Sequence, residues 1–390
     1  MELQPAHRIA SLKPYFFADL AKRIAALRAK GTDVVRLDIG SPDLPPPGFI
    51  LEAMFESAQR TDTHGYTLGM TQKFRKAVAE YYQARFGVEI DPATEAIDLL
   101  GSKEGLFILS QAVLNPGDIA LVPDPSYAVY AKSTEIAGGQ VHLMPLLEEN
   151  AFLPDLTSIP ADVLRRAKIL WLNYPNNPTG AIADIAFFEK VIDFAHQHNI
   201  LVAHDNPYSD VGFNGYRAPS ILQVPGAKEV AVEFNSLSKT YNMAGWRVGM
   251  AVGHPQALKY IETYKSQQDS AIFAPLMAAG EMAMLGDQTW LNERNRIYQE
   301  RRDAVVDGLH RAGLRVAPPQ AALYVWAPVP AGENSMEFCA AMLNECGVST
   351  TPGVVFGQHG EGYFRVSLVT DVARLREGAE RITDWLQRRR

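Results

Sequence analysis

The chain has 390 residues, of which 47% are hydrophobic and 21% are charged, a composition typical of a globular protein large enough for two domains. Its net charge of −7 excludes a sequence-wide basic field of the kind that nucleic acid attracts. Cys339 and Cys346 lack metal-ligand or disulfide-framework spacing, no apolar run approaches the ~20 residues of a membrane helix, and the N-terminus lacks the order of a signal peptide. We therefore expect a cytoplasmic protein without a metal site that binds neither nucleic acid nor membranes.

Between Asp91 and Gly253 the chain alternates strand-like and helix-like segments. Short apolar segments predict seven strands: Ala96–Leu100, Ile119–Val122, Val141–Leu143, Ile169–Asn173, Leu201–His204, Val230–Phe234 and Val248–Val252. Helical patterns lie between most of them, at Leu106–Leu114, 126–138 and Ala186–His198. Such alternation predicts right-handed crossovers and an α/β fold whose mostly parallel seven-stranded sheet is covered on both faces.

The remaining chain has a different pattern. Strand-like segments are expected at Arg315–Ala317, Leu323–Ala327 and Phe364–Leu368, and helices at 288–312, Ser335–Cys346 and Val372–Arg388. We predict three parts. Residues 1–48 form a proline-rich N-terminal arm and part of a small domain, residues 49–285 form the large domain, and residues 286–390 form the small C-terminal α+β domain.

One lysine is distinguished by its surroundings. Lys239 lies among small hydroxyl residues in Ser236-Leu237-Ser238-Lys239, directly after a predicted buried strand, and Arg247 follows eight positions later. Burial lowers the pKa of a lysine amine from about 10.4, which frees the amine to attack a carbonyl and form a Schiff base. A salt-bridged surface lysine is the plainer interpretation of this motif alone, so the other strand ends decide between the two.

Polar motifs follow three other predicted strands, where ligands bind in α/β sheets. Gly101-Ser102-Lys103-Glu104-Gly105 opens an apolar helix, and its backbone N–H groups suit an anion. Two prolines and a glycine fix the loop 173–180, which aims the amide of Asn177. Asp205 emerges at the end of the next strand, with Tyr208 three residues on. Each motif alone is equally well explained as an ordinary turn or cap.

Taken together, the four strand ends fit one ligand, pyridoxal phosphate. That cofactor needs a carboxylate on its ring nitrogen, hydrogen bonds to its phenolic oxygen, an anion site for its phosphate and a lysine for its aldehyde. Asp205 meets the first need, Asn177 with Tyr208 the second, and Lys239 the last. The phosphate is expected to bind Ser102, Lys103, Glu104 and Arg247.

With these motifs in this order, the chain resembles the class I/II aminotransferases, the fold-type I pyridoxal-phosphate enzymes, over nearly its whole length. The resemblance implies that Lys239 bonds to the cofactor aldehyde and moves the proton of the substrate Cα. It assigns Asp205 to the ring nitrogen, and Asn177 and Tyr208 to the phenolic oxygen. Further cofactor contacts are implied for Tyr127, which stacks on the ring, and for the phosphate-binding residues Ser102, Lys103, Glu104, Ser236, Ser238 and Arg247.

The same resemblance implies how substrate and partner are bound. Arg365 matches the arginine that grips the substrate α-carboxylate, because a planar guanidinium suits a carboxylate. Asn177 and the backbone of Gly40 complete that contact. Tyr66 matches a residue that reaches the phosphate of the neighbouring subunit, which implies a homodimer with shared active sites. The expected reaction transfers an amino group between an L-amino acid and a 2-oxo acid.

Within the family, several segments resemble the LL-diaminopimelate aminotransferases, among them 12–20, 236–249, 269–273, 324–330 and 351–357. That resemblance implies LL-diaminopimelate and 2-oxoglutarate as substrates. The stretch from Tyr66 to Gln72 departs from it, since it contains no acidic residue for the distal ammonium of diaminopimelate. Aspartate, alanine or aromatic specificity, a lyase or decarboxylase of the same fold, and a regulatory protein without catalysis stay open as alternatives.

Overall fold

The computed structural model describes residues 3–10, 16–67 and 71–389. The strands are β1 Val35–Arg36, β2 Ala96–Leu99, β3 Ile119–Asp124, β4 Gln140–Pro145, β5 Ala167–Leu172, β6 Leu201–Asp205, β7 Ala231–Ser236, β8 Gly249–Gly253, β9 Tyr324–Pro328, β10 Val348–Ser349, β11 Thr351–Pro352 and β12 Tyr363–Ser367. The helices are α1 His7–Ala10, α2 Phe16–Ala29, α3 Gly48–Ala58, α4 Thr71–Phe86, α5 Ser102–Val113, α6 Val129–Ile136, α7 Ala161–Leu164, α8 Ile185–His198, α9 Leu237–Thr240, α10 Pro255–Lys265, α11 Ala274–Leu285, α12 Trp290–Arg311, α13 Ser335–Cys346 and α14 Val372–Arg389.

The large sheet has seven strands in the order β2-β8-β7-β6-β5-β3-β4. Strands β3 to β7 pair in parallel, and β8 runs antiparallel to both of its neighbours. The predicted mostly parallel seven-stranded sheet is thereby confirmed, with each strand within a few residues of its expected position. Its strands are short and apolar because both faces of the sheet are covered by helices.

Side-chain alternation along β5 shows how the two faces are filled. Leu170 and Leu172 belong to the hydrophobic core that includes residues of α4, α8 and α11. Ile169 and Trp171 point the other way, into the core that includes residues of α5, α6 and α10. Because successive strand residues face opposite sides, a continuous apolar run is what a sheet covered on both faces requires.

The C-terminal elements form a second, smaller layer. Strands β11, β12 and β9 make an antiparallel sheet, and β1 of the N-terminal arm pairs in parallel with β10. Val35 and Leu37 share one hydrophobic core with residues of α12, α13 and α14. The arm therefore packs against the C-terminal elements, as the sequence suggested, while the boundaries at residues 48 and 285 stay a prediction.

The strand expected at Arg315–Ala317 is wrong. Val316 is buried between exposed Arg315 and Ala317, but the segment pairs with no strand of the described residues. The prolines that follow at 318 and 319 have no backbone N–H to donate to a ladder. The side chain of His310 instead contacts the Val316 carbonyl, with 2.8 Å between Nε2 and O.

The parallel strands place polar residues together at their C-terminal ends, along one side of the large sheet. Asp205 is the last residue of β6 and Ser236 the last of β7, while Asn173 directly follows β5. The small sheet brings Arg365, on β12, and Tyr324, on β9, to the same edge. Across the described part of the chain, no helix has both the length and the apolarity to cross a membrane.

Candidate active site

A cavity of about 630 Å³ opens where the large sheet meets the C-terminal elements. Of the fourteen residues that the sequence predicted for the site, twelve line it: Gly40, Ser102, Lys103, Tyr127, Asn177, Asp205, Tyr208, Ser236, Ser238, Lys239, Arg247 and Arg365. The structure therefore brings together residues separated by more than 300 positions in the chain.

Asp205 is a buried carboxylate with one free oxygen. Its Oδ2 accepts a hydrogen bond from the Tyr130 hydroxyl at 2.7 Å, whereas its Oδ1 is buried without a partner. Burial raises the pKa of Asp205 to about 6, against the lowering effect of the Tyr130 hydrogen bond. A buried acceptor without a donor is unfavourable, so this oxygen suits a ligand that carries a proton on a ring nitrogen.

Lys239 presents its amine to the same cavity. It lies in α9, which Ser236 begins by accepting a hydrogen bond from the Ser238 backbone N–H. The Lys239 Nζ donates to the Gly40 carbonyl at 2.5 Å. Burial lowers the pKa of Lys239, and the positive charges of Arg365 and Arg247 act in the same direction. The site thus favours the uncharged amine that nucleophilic attack on an aldehyde requires.

Small and basic residues form an anion cradle, which we define as Gly101, Ser102, Lys103, Ser236, Ser238 and Arg247. Gly101 has a φ of 77° and precedes the first turn of α5, whose backbone N–H groups face an approaching anion. A Cβ at Gly249 would lie 2.8 Å from the Ser102 nitrogen, so glycine is needed for this close approach. Arg247 donates from Nη1 to the Ser238 hydroxyl at 3.4 Å and from Nη2 to the Leu100 carbonyl at 3.2 Å.

Arg365 is 3% exposed and points into the cavity. Its Nη1 donates to Asn177 Oδ1 at 2.8 Å, and its Nη2 donates to the Asp38 carbonyl at 3.1 Å. The guanidinium carbon lies 4.2 Å from the ring centre of Tyr324 and 4.7 Å from that of Phe356. These contacts fix the plane of the guanidinium and leave Nε, which is buried without a partner, available for a carboxylate.

A tyrosine pair connects the two sides of the cavity. The Tyr208 and Tyr324 hydroxyls lie 2.9 Å apart, and Tyr324 donates to the Gly40 carbonyl at 3.4 Å. That carbonyl is also the acceptor for Lys239, so Tyr208 is linked through Tyr324 and Gly40 to the lysine amine. Burial raises the pKa of Tyr208 well above its usual value, which keeps the hydroxyl protonated as a hydrogen-bond donor.

Two predicted site residues do not line the cavity. Glu104 turns its carboxylate to Lys265 at 3.0 Å and accepts the Leu100 N–H at 2.7 Å, so its side chain lies behind the anion cradle. Tyr66 is 82% exposed, and its role at a neighbouring subunit stays a prediction. The departure between Tyr66 and Gln72 includes residues 68–70, and the resembling segment 12–20 includes 12–15; both of these ranges lie outside the described residues.

The sequence missed several residues that the structure places at the site. Tyr130 holds Asp205, Asn173 donates to the Asp205 carbonyl at 2.7 Å, and Tyr324 and Phe356 flank Arg365. Phe17, Arg36 and Asp38 also line the cavity. The position of Asn173 directly after β5 was a usable signal, whereas the aromatic residues read as ordinary core positions.

The residues present fit pyridoxal phosphate. The unpartnered Asp205 Oδ1 matches a protonated ring nitrogen, and the anion cradle matches a phosphate. Lys239 supplies an amine of lowered pKa between them, and Tyr127 supplies an aromatic wall whose ring lies 5.7 Å from the Lys103 ammonium. Tyr208 keeps a hydroxyl in the cavity for a phenolic oxygen.

Comparison with known proteins agrees with this site. The family "Aminotransferase class I and II" matches residues 32–382. LL-diaminopimelate aminotransferase from Syntrophobacter fumaroxidans is 50% identical over 384 residues, covering 98% of this chain and 99% of the relative. The enzyme of the same name from Moorella thermoacetica is 47% identical over 381 residues, covering 97% and 98%.

Solved structures show the same fold. Substrate-bound BacF from Bacillus subtilis superposes with a TM-score of 0.94 at 36% identity, covering 99% of this chain and 98% of that one. A double mutant of Thermus thermophilus aspartate aminotransferase superposes with a TM-score of 0.90 at 28% identity, covering 98% and 100%. The chain therefore belongs to the class I and II aminotransferases and is a pyridoxal-phosphate-dependent enzyme of fold type I.

Proposed function

We propose that this aminotransferase takes the amino group of LL-diaminopimelate and passes it to 2-oxoglutarate, with each substrate bound in turn in the cavity around Lys239. The single observation that carries the choice of donor is the 45–50% identity to proteins named LL-diaminopimelate aminotransferase, over nearly the full length of both chains. Amino and 2-oxo acids both carry the α-carboxylate that the environment of Arg365 suits.

In this proposal the cofactor is held at its three polar ends. Asp205 Oδ1 would accept the ring N–H, Asn177 and Tyr208 would donate to the phenolic oxygen, and the anion cradle would hold the phosphate. Bound pyridoxal phosphate supplies an electron sink and a carbonyl for the lysine amine. Because Asp205 is buried, its charge acts on the ring nitrogen with little screening by water.

Lys239 moves the proton in this proposal. Its Nζ, whose pKa burial lowers, would accept the proton of the substrate Cα and return one to the carbon that comes from the cofactor aldehyde. Its contact with the Gly40 carbonyl places the amine on the side of the cavity where Arg365 lies, since Arg365 binds the neighbouring Asp38 carbonyl. Substrate binding and proton transfer are thereby brought within one small region.

A second specificity is favoured by one sequence observation. The stretch from Tyr66 to Gln72 contains no carboxylate for the distal ammonium of diaminopimelate. An unpaired buried ammonium is strongly disfavoured, whereas an apolar side chain needs no partner there. Aromatic residues Phe17, Tyr127 and Phe356 line the cavity, which suits an aromatic or other uncharged amino-acid side chain.

We further propose that two copies of the chain form a dimer in the cytoplasm. Helices α3 and α11 pack together and leave apolar side chains exposed, including Phe55 at 61%, Met282 at 42% and Leu285 at 49%. Tyr66 and Phe273, at 82% and 46% exposure, extend this apolar surface. A second copy would cover it, which supports the role of Tyr66 at the neighbouring site. The free thiols Cys339 and Cys346 agree with a reducing compartment.

The test is a titration of the purified holoenzyme with single amino acids, followed by cofactor absorbance. LL-diaminopimelate should change the spectrum at lower concentration than glutamate, aspartate, alanine or phenylalanine, and 2-oxoglutarate should restore it. A response to phenylalanine but not to LL-diaminopimelate would establish the second specificity. Release of ammonia or CO₂ would instead indicate a lyase or decarboxylase of the same fold.

A further inference from the structure

Three charged side chains form a buried cluster behind the anion cradle. The Lys265 Nζ lies 3.0 Å from both carboxylate oxygens of Glu104 and 2.7 Å from Asp269 Oδ1. The Lys265 and Glu104 side chains are 9% and 6% exposed, and that of Asp269 is 18% exposed. One lysine thus faces two carboxyl groups, a combination that would carry a net charge of −1 if all three groups were ionised.

The two carboxyl groups are placed to share a proton. Glu104 and Asp269 both contact the Lys265 ammonium, and two adjacent carboxyl groups can hydrogen-bond to each other only when one of them is protonated. Asp269 Oδ2 is buried without a donor, whereas Oδ1 accepts from Lys265 and from the Ala271 N–H. One proton held between them would make the cluster neutral.

The proton belongs mainly to Glu104. Burial, and then the contact with Asp269, raises the pKa of Glu104 to about 7. Burial also works to raise the pKa of Asp269, but the hydrogen bonds from Glu104 and Lys265 outweigh it and lower that pKa. Near neutral pH, Glu104 therefore changes between its neutral and charged forms while Asp269 stays ionised.

Glu104 is connected to the cradle through the backbone of one residue, Leu100. Its Oε2 accepts the Leu100 N–H at 2.7 Å, and the carbonyl of Leu100 accepts from Arg247 Nη2 at 3.2 Å. The next residue, Gly101, turns the chain into the first turn of α5. Glu104 thus anchors the backbone of Leu100, which leads into the residues that would contact a phosphate.

We propose that Glu104 is a positioning residue of the anion cradle, and that the proton it shares with Asp269 keeps the negative charge behind the cradle low enough for a phosphate to bind. Loss of that proton at higher pH places a negative charge next to the site of a second anion. The proposal rests on the phosphate-binding role of the cradle stated under "Proposed function".

Among the residues that the structure describes, the nearby polar and charged groups do not compensate this charge. Gln268 approaches Glu104 Oε1 at 3.4 Å and is uncharged. Arg75, on the neighbouring helix α4, is paired with Asp98 at 3.3 Å and with Glu262 at 2.8 Å. The cradle's own cations Lys103 and Arg247 lie on the phosphate side. Protonation of Glu104 therefore determines the net charge behind the cradle.

Glu104→Gln tests the proposal because a glutamine amide reproduces the protonated carboxyl. Its oxygen accepts from Leu100, its amide donates to Asp269, and it carries no charge at any pH. The probe is inorganic sulfate, which stays doubly charged across the range, titrated into the cofactor-free protein by calorimetry. Glu262→Gln is the matched control. Glu262 lies on the same helix as Lys265, and its substitution breaks an ion pair with Arg75 but does not affect Leu100.

Wild-type protein should bind sulfate about five- to tenfold more weakly at about pH 8.5 than at about pH 6, as expected for one added charge at partly screened range. Glu104→Gln should bind it at about pH 8.5 nearly as well as wild type does at about pH 6, and Glu262→Gln should behave as wild type. Lys239 titrates in wild type and in Glu104→Gln alike, so the difference between their pH dependences of sulfate affinity reports on Glu104.

Two results would overturn the inference: a Glu104→Gln protein with the full wild-type pH dependence, or one whose affinity falls equally at both pH values. The second would reveal a purely structural role. If Glu104→Gln fails to fold, Asp269→Asn removes the same charge and should flatten the profile in the same way. Wild-type protein that binds neither sulfate nor pyridoxal phosphate would contradict the cradle itself, which separates that failure from this one.

Discussion

Replacing Asp205 by asparagine should stabilise the cofactor-free protein. Burial raises the pKa of Asp205 to about 6 from an ordinary value of 3.8. A difference of about two pKa units means that the ionised carboxylate destabilises the folded state by about 3 kcal/mol. Asparagine leaves its NH2 group without an acceptor at the position of Oδ1, which costs about 1 kcal/mol. The expected net gain in the free energy of unfolding is therefore about 2 kcal/mol.

The pH profile of this gain follows from the sign of the shift. Between about pH 4 and pH 6 the unfolded chain loses the Asp205 proton before the folded protein does, so ionisation favours unfolding. The carboxylate penalty is absent below about pH 4 and complete above about pH 6. Urea denaturation of both cofactor-free proteins at about pH 7.5 and about pH 4 measures the difference. A variant that is no more stable than wild type at the higher pH would refute the reasoning.

Three further substitutions test separate parts of the site. Lys239→Ala should abolish turnover without changing the circular dichroism spectrum, because it removes only the reacting amine. Arg365→Lys should lower kcat/KM about 10- to 100-fold, mainly through KM, since lysine loses about one charge-assisted hydrogen bond to the α-carboxylate. Gly101→Ala should weaken cofactor affinity about tenfold or more, because an alanine is strained at a φ of 77° and its Cβ would clash with the Arg247 guanidinium.

Each substitution has an outcome that contradicts its assigned role. Normal turnover by Lys239→Ala would eliminate the proposed mechanism. An unchanged KM in Arg365→Lys would remove that residue from carboxylate binding; Arg381→Lys, which alters a surface ion pair with Asp33, is its control. Gly101→Ala is checked by equilibrium binding of pyridoxal phosphate, and wild-type affinity would show that the cradle tolerates a side chain there.

Local patterns were enough to predict much of the fold. The strands around Leu170 and Phe234 are short apolar runs, and the helix Ser335–Cys346 begins where Asn334 caps it and ends at Gly347 in the left-handed region. These signals lie within a few neighbouring residues. The segment Arg315–Ala317 had the same alternation as a strand but found no partner, because pairing depends on distant backbone.

The contacts that the sequence could not provide are all long-range. Tyr130 reaches Asp205 across 75 positions, and Tyr324 reaches Tyr208 across 116. Glu104 was predicted to bind the cofactor from its place in the turn after β2, yet Lys265, 161 positions away, draws its carboxylate behind the cradle. The sequence indicated which residues carry the chemistry, and the structure shows which distant residues position them through hydrogen bonds.

The proposed chemistry requires that Lys239 is the amine that bonds to pyridoxal phosphate. Reduction of the holoenzyme with borohydride, followed by peptide mass mapping, locates the attached cofactor directly. We expect one pyridoxyl group per chain, on the peptide that contains Lys239. Labelling of Lys103 or another lysine in place of Lys239 would refute the role assigned to Lys239.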